Sequence, residues 1–189
     1  MISGRSISES PRRSASAGTN ETTRCLCKMM RESGDKLVIR TMTTEDIPQV
    51  LTVERACFAD AWSEEVFHAT LLLPYAHYYV AEILRKDGSR FIIGECGVRD
   101  IMGEGEITNV AVLPEHRGFG IGARMLTTLL DESARSGMSA FTLEVRAGNR
   151  PAIALYQKLG FRTEGIRTGF YENPVEDALI MWKRELSLP

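Results

Sequence analysis

Aromatic residues are absent from the first part of the chain, and the earliest is Phe58. A stretch without them, and with few other apolar residues, cannot build a core. Cysteine and histidine are also scarce. Cys25, Cys27, Cys57 and Cys96 form no C-x-x-C pair, and His68, His77 and His116 are scattered. A disulfide scaffold is therefore excluded and no metal site is expected. Thiols kept reduced fit an intracellular, cytoplasmic protein. No apolar run approaches the roughly 18 residues of a membrane-spanning helix, so no membrane association is expected. Nor does an apolar segment come after Arg12-Arg13, which excludes secretory and twin-arginine export. There is no internal repeat, and neither sign of charge dominates: 23 Lys+Arg stand against 25 Asp+Glu, a net of -2.

That balance conceals two unlike pieces. Residues 1–36 carry seven basic and four acidic side chains and are rich in serine. Residues 37–189 carry 16 basic and 21 acidic side chains, a net of -5. The first piece reads as a disordered basic tail. An organelle transit segment, and an over-extended start with translation beginning at Met29 or Met30, are the other readings of it. The second piece reads as one mixed α/β domain. Leu37–Arg40 forms a strand, Thr44-Glu45-Asp46 opens a helix, and Ser63 caps a second helix that stops before Pro74. Two strands, 78–83 and 91–98, are joined around Asp87-Gly88. Next come a strand over 106–112, a helix from near Gly120, a strand over 140–145 and a helix over 149–159. The segments 161–171 and 178–183 close the domain as paired strands.

The segment Arg117-Gly118-Phe119-Gly120-Ile121-Gly122-Ala123 joins a strand to a helix. Alternate glycines let backbone N–H groups approach an anion, and the helix N-terminus adds unpaired donors and a positive dipole end. Arg117 adds a positive charge. This is the chemistry of a phosphate or pyrophosphate cradle. Gly118-x-Gly120-x-x-Ala123, with Glu144 some twenty residues on, also satisfies the dinucleotide fingerprint of a nicotinamide-dependent oxidoreductase. Against that reading, Leu113–Arg117 separate the strand from the glycines, and only one helix remains before the closing strands.

Two motifs together resemble the GCN5-related N-acetyltransferase family. Asn109-Val110-Ala111-Val112-x-Pro114-x-x-Arg117-Gly118-x-Gly120-x-Gly122 is similar to its acetyl-CoA-binding motif. Asn149-Arg150-Pro151-Ala152-Ile153-Ala154-Leu155-Tyr156-x-x-Leu159-Gly160-Phe161 is similar to its second signature. The resemblance runs from about Leu37 to Glu185. It is strongest to the bacterial RimI branch of ribosomal-protein-alanine N-acetyltransferases, through Trp62-Ser63-x-x-x-Phe67, Leu143-Glu144-Val145-Arg146 and Tyr171-x-x-Pro174-x-Glu176-Asp177-Ala178. Members often carry two tyrosines before that last segment, and here the first position is Phe170.

The resemblance implies a central, mostly antiparallel sheet splayed between strands four and five, with acetyl-CoA entering the gap. The backbone of Val110, Ala111 and Val112 would bind the acetyl and pantetheine portion. Residues Arg117, Gly118, Phe119, Gly120, Ile121, Gly122 and Ala123 would hold the pyrophosphate. Asn149 would meet the pantetheine arm or simply cap its helix. Glu144 would be the base and Tyr156 the acid, with Tyr171 binding the acceptor. A salt bridge to Arg146 is the plain alternative for Glu144, and packing the plain alternative for Tyr156. The implied acceptor is the N-terminal alanine of a small-subunit ribosomal protein, a basic partner for an acidic body, with no direct contact to nucleic acid. Acetylation of another peptide or a small amine, and a non-catalytic acyl-CoA-binding module, are the remaining alternatives.

Overall fold

The computed structural model describes residues 34–184 of the chain. The expectations for the basic tail, and Cys25 and Cys27 with it, lie outside the described residues apart from 34–36. The elements run β1 (Lys36–Thr41), a 3-10 turn (Thr44–Asp46), α1 (Ile47–Cys57), α2 (Glu64–Leu71), β2 (Ala76–Leu84), β3 (Arg90–Ile101), β4 (Glu104–Val112), a second 3-10 turn (Pro114–His116), α3 (Ile121–Arg135), β5 (Ala140–Arg146), α4 (Arg150–Lys158), β6 (Arg162–Glu172) and β7 (Val175–Arg184). The expected order of elements holds. Thr44-Glu45-Asp46 forms a 3-10 turn ahead of the helix, because Asp46 folds back to accept from both the backbone and the hydroxyl of Thr43.

The seven strands lie in the order β1-β2-β3-β4-β5-β7-β6. All neighbours are antiparallel except β4 and β5. Those two pair only through 104–106 against 140–142. Beyond that point β4 continues to Val112 and β5 to Arg146 without a bond between them, so the sheet opens between strands four and five as expected.

Side-chain alternation divides the core. On one face Val110, Val112, Leu143 and Val145 pack with α3 and α4, around Leu126, Leu129, Tyr156 and Phe161. On the other, α1, α2 and the connector between them pack Val50, Val53, Trp62 and Phe67 against Tyr78, Val80 and Ala111. Trp62, Phe67 and Tyr78 form a ring cluster there, with centroids 5.3, 6.1 and 6.4 Å apart. Such pairs add to the burial energy when tilted or edge-on, as these are.

Candidate active site at the strand gap

The gap is bounded at one end by the glycine turn. A 3-10 turn over Pro114–His116 occupies the interval between strand and glycines, so the chain does not enter its turn directly from the strand, as a dinucleotide fold would require. Gly118 and Gly120 have φ of +80° and +77°, which side chains disfavour, and Gly120 is the N-cap of α3. Gly122 has no positive φ; a Cβ there would sit 3.5 Å from Leu155. Phe119 packs against the core and Ile121 is buried in it, so these two offer the turn their backbone groups only. Ala123 is half-buried in the first turn of α3.

Arg117 is engaged with the end of β4. Its Nε donates to the carbonyl of Val112 at 2.9 Å, and Nη2 lies 3.4 Å from Cys57 Sγ. The guanidinium thus turns back toward α1 and the strand end. Burial raises the Cys57 thiol pKa, and Arg117 opposes that rise only in part.

Val110 and Val112 are buried on the α3 face and Ala111 on the α1 face. Their backbone edge toward β5 runs past the end of the β4–β5 pairing. Asn149 caps α4, with Oδ1 accepting from Ala152 N at 3.2 Å.

Glu144 and Tyr156 flank the gap from opposite faces. Leu143 and Val145 point into the α3 core, so Glu144 points to the α1 side. Its side chain is 13% exposed and pairs with Arg167 of β6 at 2.8 Å. Tyr156 is buried in the α3 core, its ring edge-on to Phe161 at 5.9 Å. The alternative pairing of Glu144 with Arg146 is not the one formed. Arg146 binds Glu176 at 3.1 Å, donates to the carbonyls of Asn173 and Pro174, and lies 4.1 Å over the Tyr171 ring. Tyr171 therefore belongs to the β6–β7 hairpin and sits against Arg146, and the hairpin is held to the end of β5 by Arg146 and by the Gly148 N–H donating to Glu176.

The residue pattern did not signal a third group of polar side chains. Glu54 of α1, Glu95 of β3 and Asn109 of β4 are all fully buried and hydrogen-bonded together. Burial, then the Glu54 charge and hydrogen bond, push the Glu95 carboxyl well above the ordinary carboxylate range, and Asn109 opposes them. The one available signal was an acid inside the apolar run 91–98.

The acetyltransferase (GNAT) family model matches residues 47–161. This chain belongs to that family. A Bacillus subtilis (strain 168) protein, provisionally named a ribosomal protein bS18-alanine N-acetyltransferase, is 39% identical over 148 residues, covering 78% of this chain and 95% of the relative. The Escherichia coli (strain K12) protein named ribosomal protein bS18-alanine N-acetyltransferase is 33% identical over 145 residues, covering 76% and 94%. The crystal structure of the E. coli ribosomal-protein-S18-alanine N-acetyltransferase superposes with a TM-score of 0.69 at 28% identity, over 82% of this chain and 99% of that one. The chain is thus a GNAT acetyltransferase that uses acetyl-CoA as cosubstrate. Among the described residues no cluster of His, Cys, Asp or Glu could hold a metal ion, and no helix is long and apolar enough to cross a membrane.

Proposed function

We propose that the protein acetylates the α-amine of an N-terminal alanine on a ribosomal protein, the small-subunit protein bS18, at the gap between β4 and β5. The observation that carries the reading is the arrangement of Glu144 and Tyr156 on opposite faces of that gap, with the glycine turn at its end. Thioester and amine then approach from opposite sides of the sheet, and neither blocks the other. The names of the relatives, both bS18-alanine N-acetyltransferases, support this choice of acceptor.

In this mechanism the glycine turn and the α3 N-terminus hold pyrophosphate through backbone N–H groups. A backbone N–H of Val110–Val112 polarises the thioester carbonyl as the amine nitrogen attacks, giving an oxyanion. The amine proton passes to Glu144, directly or through a water. The C–S bond then breaks, and the Tyr156 hydroxyl gives its proton to the departing thiolate. One amide N–C bond forms, one C–S bond is lost, and free CoA thiol leaves.

Availability of the nucleophile favours an α-amine. With a pKa of about 7.8 it is roughly 14% neutral at pH 7, whereas a lysine near 10.4 is about 0.04% neutral. The difference of about 300-fold is one that a single carboxylate need not overcome. The net charge of -5 over residues 37–189 adds long-range attraction for a basic acceptor. The deciding assay is thiol release from acetyl-CoA with an Ala-starting bS18 peptide and with the same peptide N-terminally blocked and carrying lysine. Release with the first alone supports the reading. Equal release with both overturns it.

A further inference from the structure

Two glutamates meet in the core where the family chemistry gives them no task. Asn109 Nδ2 lies 2.8 Å from both Glu95 oxygens and 3.2 Å from Glu54 Oε1. The other Glu54 oxygen accepts from the Trp62 backbone N–H at 3.0 Å, in the connector between α1 and α2. From Asn109 the chain of bonds continues: Thr108 Oγ1 donates to Asn109 Oδ1 at 2.8 Å, and Tyr78 OH is 2.8 Å from Thr108 Oγ1. Other ionisable groups near the pair are Cys57 of α1 and Tyr78 of β2, with Cys96 on the opposite face of β3, Arg99 beyond Tyr78 and Arg117 beyond Cys57. Both carboxyls are fully buried, and each raises the cost of ionising the other. Two such anions side by side and out of water are too costly to persist, so the pair keeps one proton.

The place of this cluster in the fold gives it a function. β3 and β4 pair as Gly97 with Asn109 and Val98 with Ile107, so Thr108 is an extra residue bulged out of β4. A bulge re-aims the backbone beyond it. Here that backbone is Val110–Val112, the segment that borders the gap.

We propose that Glu54, Glu95 and Asn109 are positioning residues: one proton shared between two buried carboxyls ties the α1–α2 connector to the β4 bulge and so fixes the acetyl-CoA-binding backbone. The inference rests on acetyl-CoA binding along β4. It adds to that reading a polar device on the acceptor side of the sheet, remote from the phosphate turn. Replacing Glu95 by an apolar residue takes from the buried Asn109 amide its two shortest acceptor contacts, which loosens the bulge.

Calorimetry of acetyl-CoA binding to the full chain tests it, alongside circular dichroism. Glu95→Leu is expected to weaken binding at least tenfold, and Glu95→Gln, which keeps one acceptor for Asn109 and offers a donor toward Glu54, to recover most of that loss. If Glu95→Leu does not fold, Thr108→Val takes its place. It is nearly isosteric, removes one hydroxyl from the chain of bonds, and should weaken binding about fivefold. In protein carrying ¹³C-labelled glutamate, one carboxyl signal should stay at its protonated position at pH 6.5 and vanish in Glu95→Gln. A folded Leu or Val variant that binds acetyl-CoA as wild type does, or the absence of that signal, overturns the inference. Failure of wild-type protein to bind acetyl-CoA would instead overturn the reading of the gap.

Discussion

Gly97→Ala should unfold the protein early, by an amount that the structure sets. Gly97 lies between Tyr78 on β2 and Asn109 on β4. A Cβ built on it would stand 2.2 Å from Tyr78 Cε1 and 2.4 Å from Cζ, well inside contact distance. The ring can step aside only by giving up its hydroxyl bond and its packing. It is fully buried, its hydroxyl is held to Thr108, and Trp62 and Phe67 stand beside it. Overpacking of this kind costs about 1–3 kcal/mol. Losing the buried Tyr78–Thr108 bond adds about 1–3 kcal/mol. The stiffer unfolded chain returns about 0.4–1 kcal/mol. The net runs from about 1 to about 5.5 kcal/mol with a middle value of about 3, which in a domain of this size lowers Tm by roughly 6–12 °C. Thermal unfolding tracked by circular dichroism measures it. The double variant Gly97→Ala/Tyr78→Leu should be less destabilised than the sum of its parts, since the clash goes with the ring. A Gly97→Ala protein melting within 2 °C of wild type would refute the claim that Tyr78 is immobile against β3.

Glu144→Gln and Tyr156→Phe should each lower kcat by about 10²-fold or more, as loss of a general base or acid does, while acetyl-CoA affinity by calorimetry changes little; full turnover in both variants removes the assigned roles. Gly120→Asp puts a side chain at φ +77° and a negative charge at the cradle, so acetyl-CoA affinity should fall by more than tenfold, and unchanged affinity counts against the phosphate turn. For Glu95, the folded state holds a proton well above the unfolded value of 4.5, so folding binds a proton in that window and stability falls as pH rises through it. Glu95→Gln lacks this loss, so its stability relative to wild type, from urea denaturation, should rise as pH is raised above 4.5, and a constant difference would show that Glu95 ionises as a carboxyl in water does.

Local patterns carried most of the fold. Every expected strand and helix forms, because alternation and helical spacing each mark a buried face. The hairpin between β3 and β4 was less legible. Both strands extend beyond the expected bounds and turn at Met102-Gly103, with φ of +56° and +88°. A methionine in that conformation is not a turn signal, and this one is fully exposed, so no packing pattern marks it either. The splay between β4 and β5 came from family resemblance, since strand pairing across the α3 crossover leaves no mark on local periodicity. The glycine turn was legible as a turn that opens a helix, but the direction taken by Arg117 was not. It depends on the Val112 carbonyl and Cys57, which only the fold brings beside it.

The partner of Glu144 shows why spacing alone misjudges a site. Glu144 and Arg146 share one face of β5, two residues apart, and a pairing between them looks natural. On the assembled sheet, however, Arg146 stands level with Ala178 of β7 and Arg167 of β6, a row whose small middle member leaves both arginines room. Arg146 is then taken by Glu176, Tyr171 and two hairpin carbonyls, which fix it. Arg167 is left to reach Glu144, and it does so from a side chain that is 56% exposed. An ion pair with one partner so exposed is weak and easily exchanged. That suits the base proposed above, because an incoming ammonium can displace the Arg167 guanidinium at little cost. Had the well-anchored Arg146 held Glu144 instead, the acceptor would have had to break a bond embedded in the β6–β7 hairpin. The division of the two arginines between a structural and a displaceable role thus comes from the order β5-β7-β6, which no short stretch of the chain encodes.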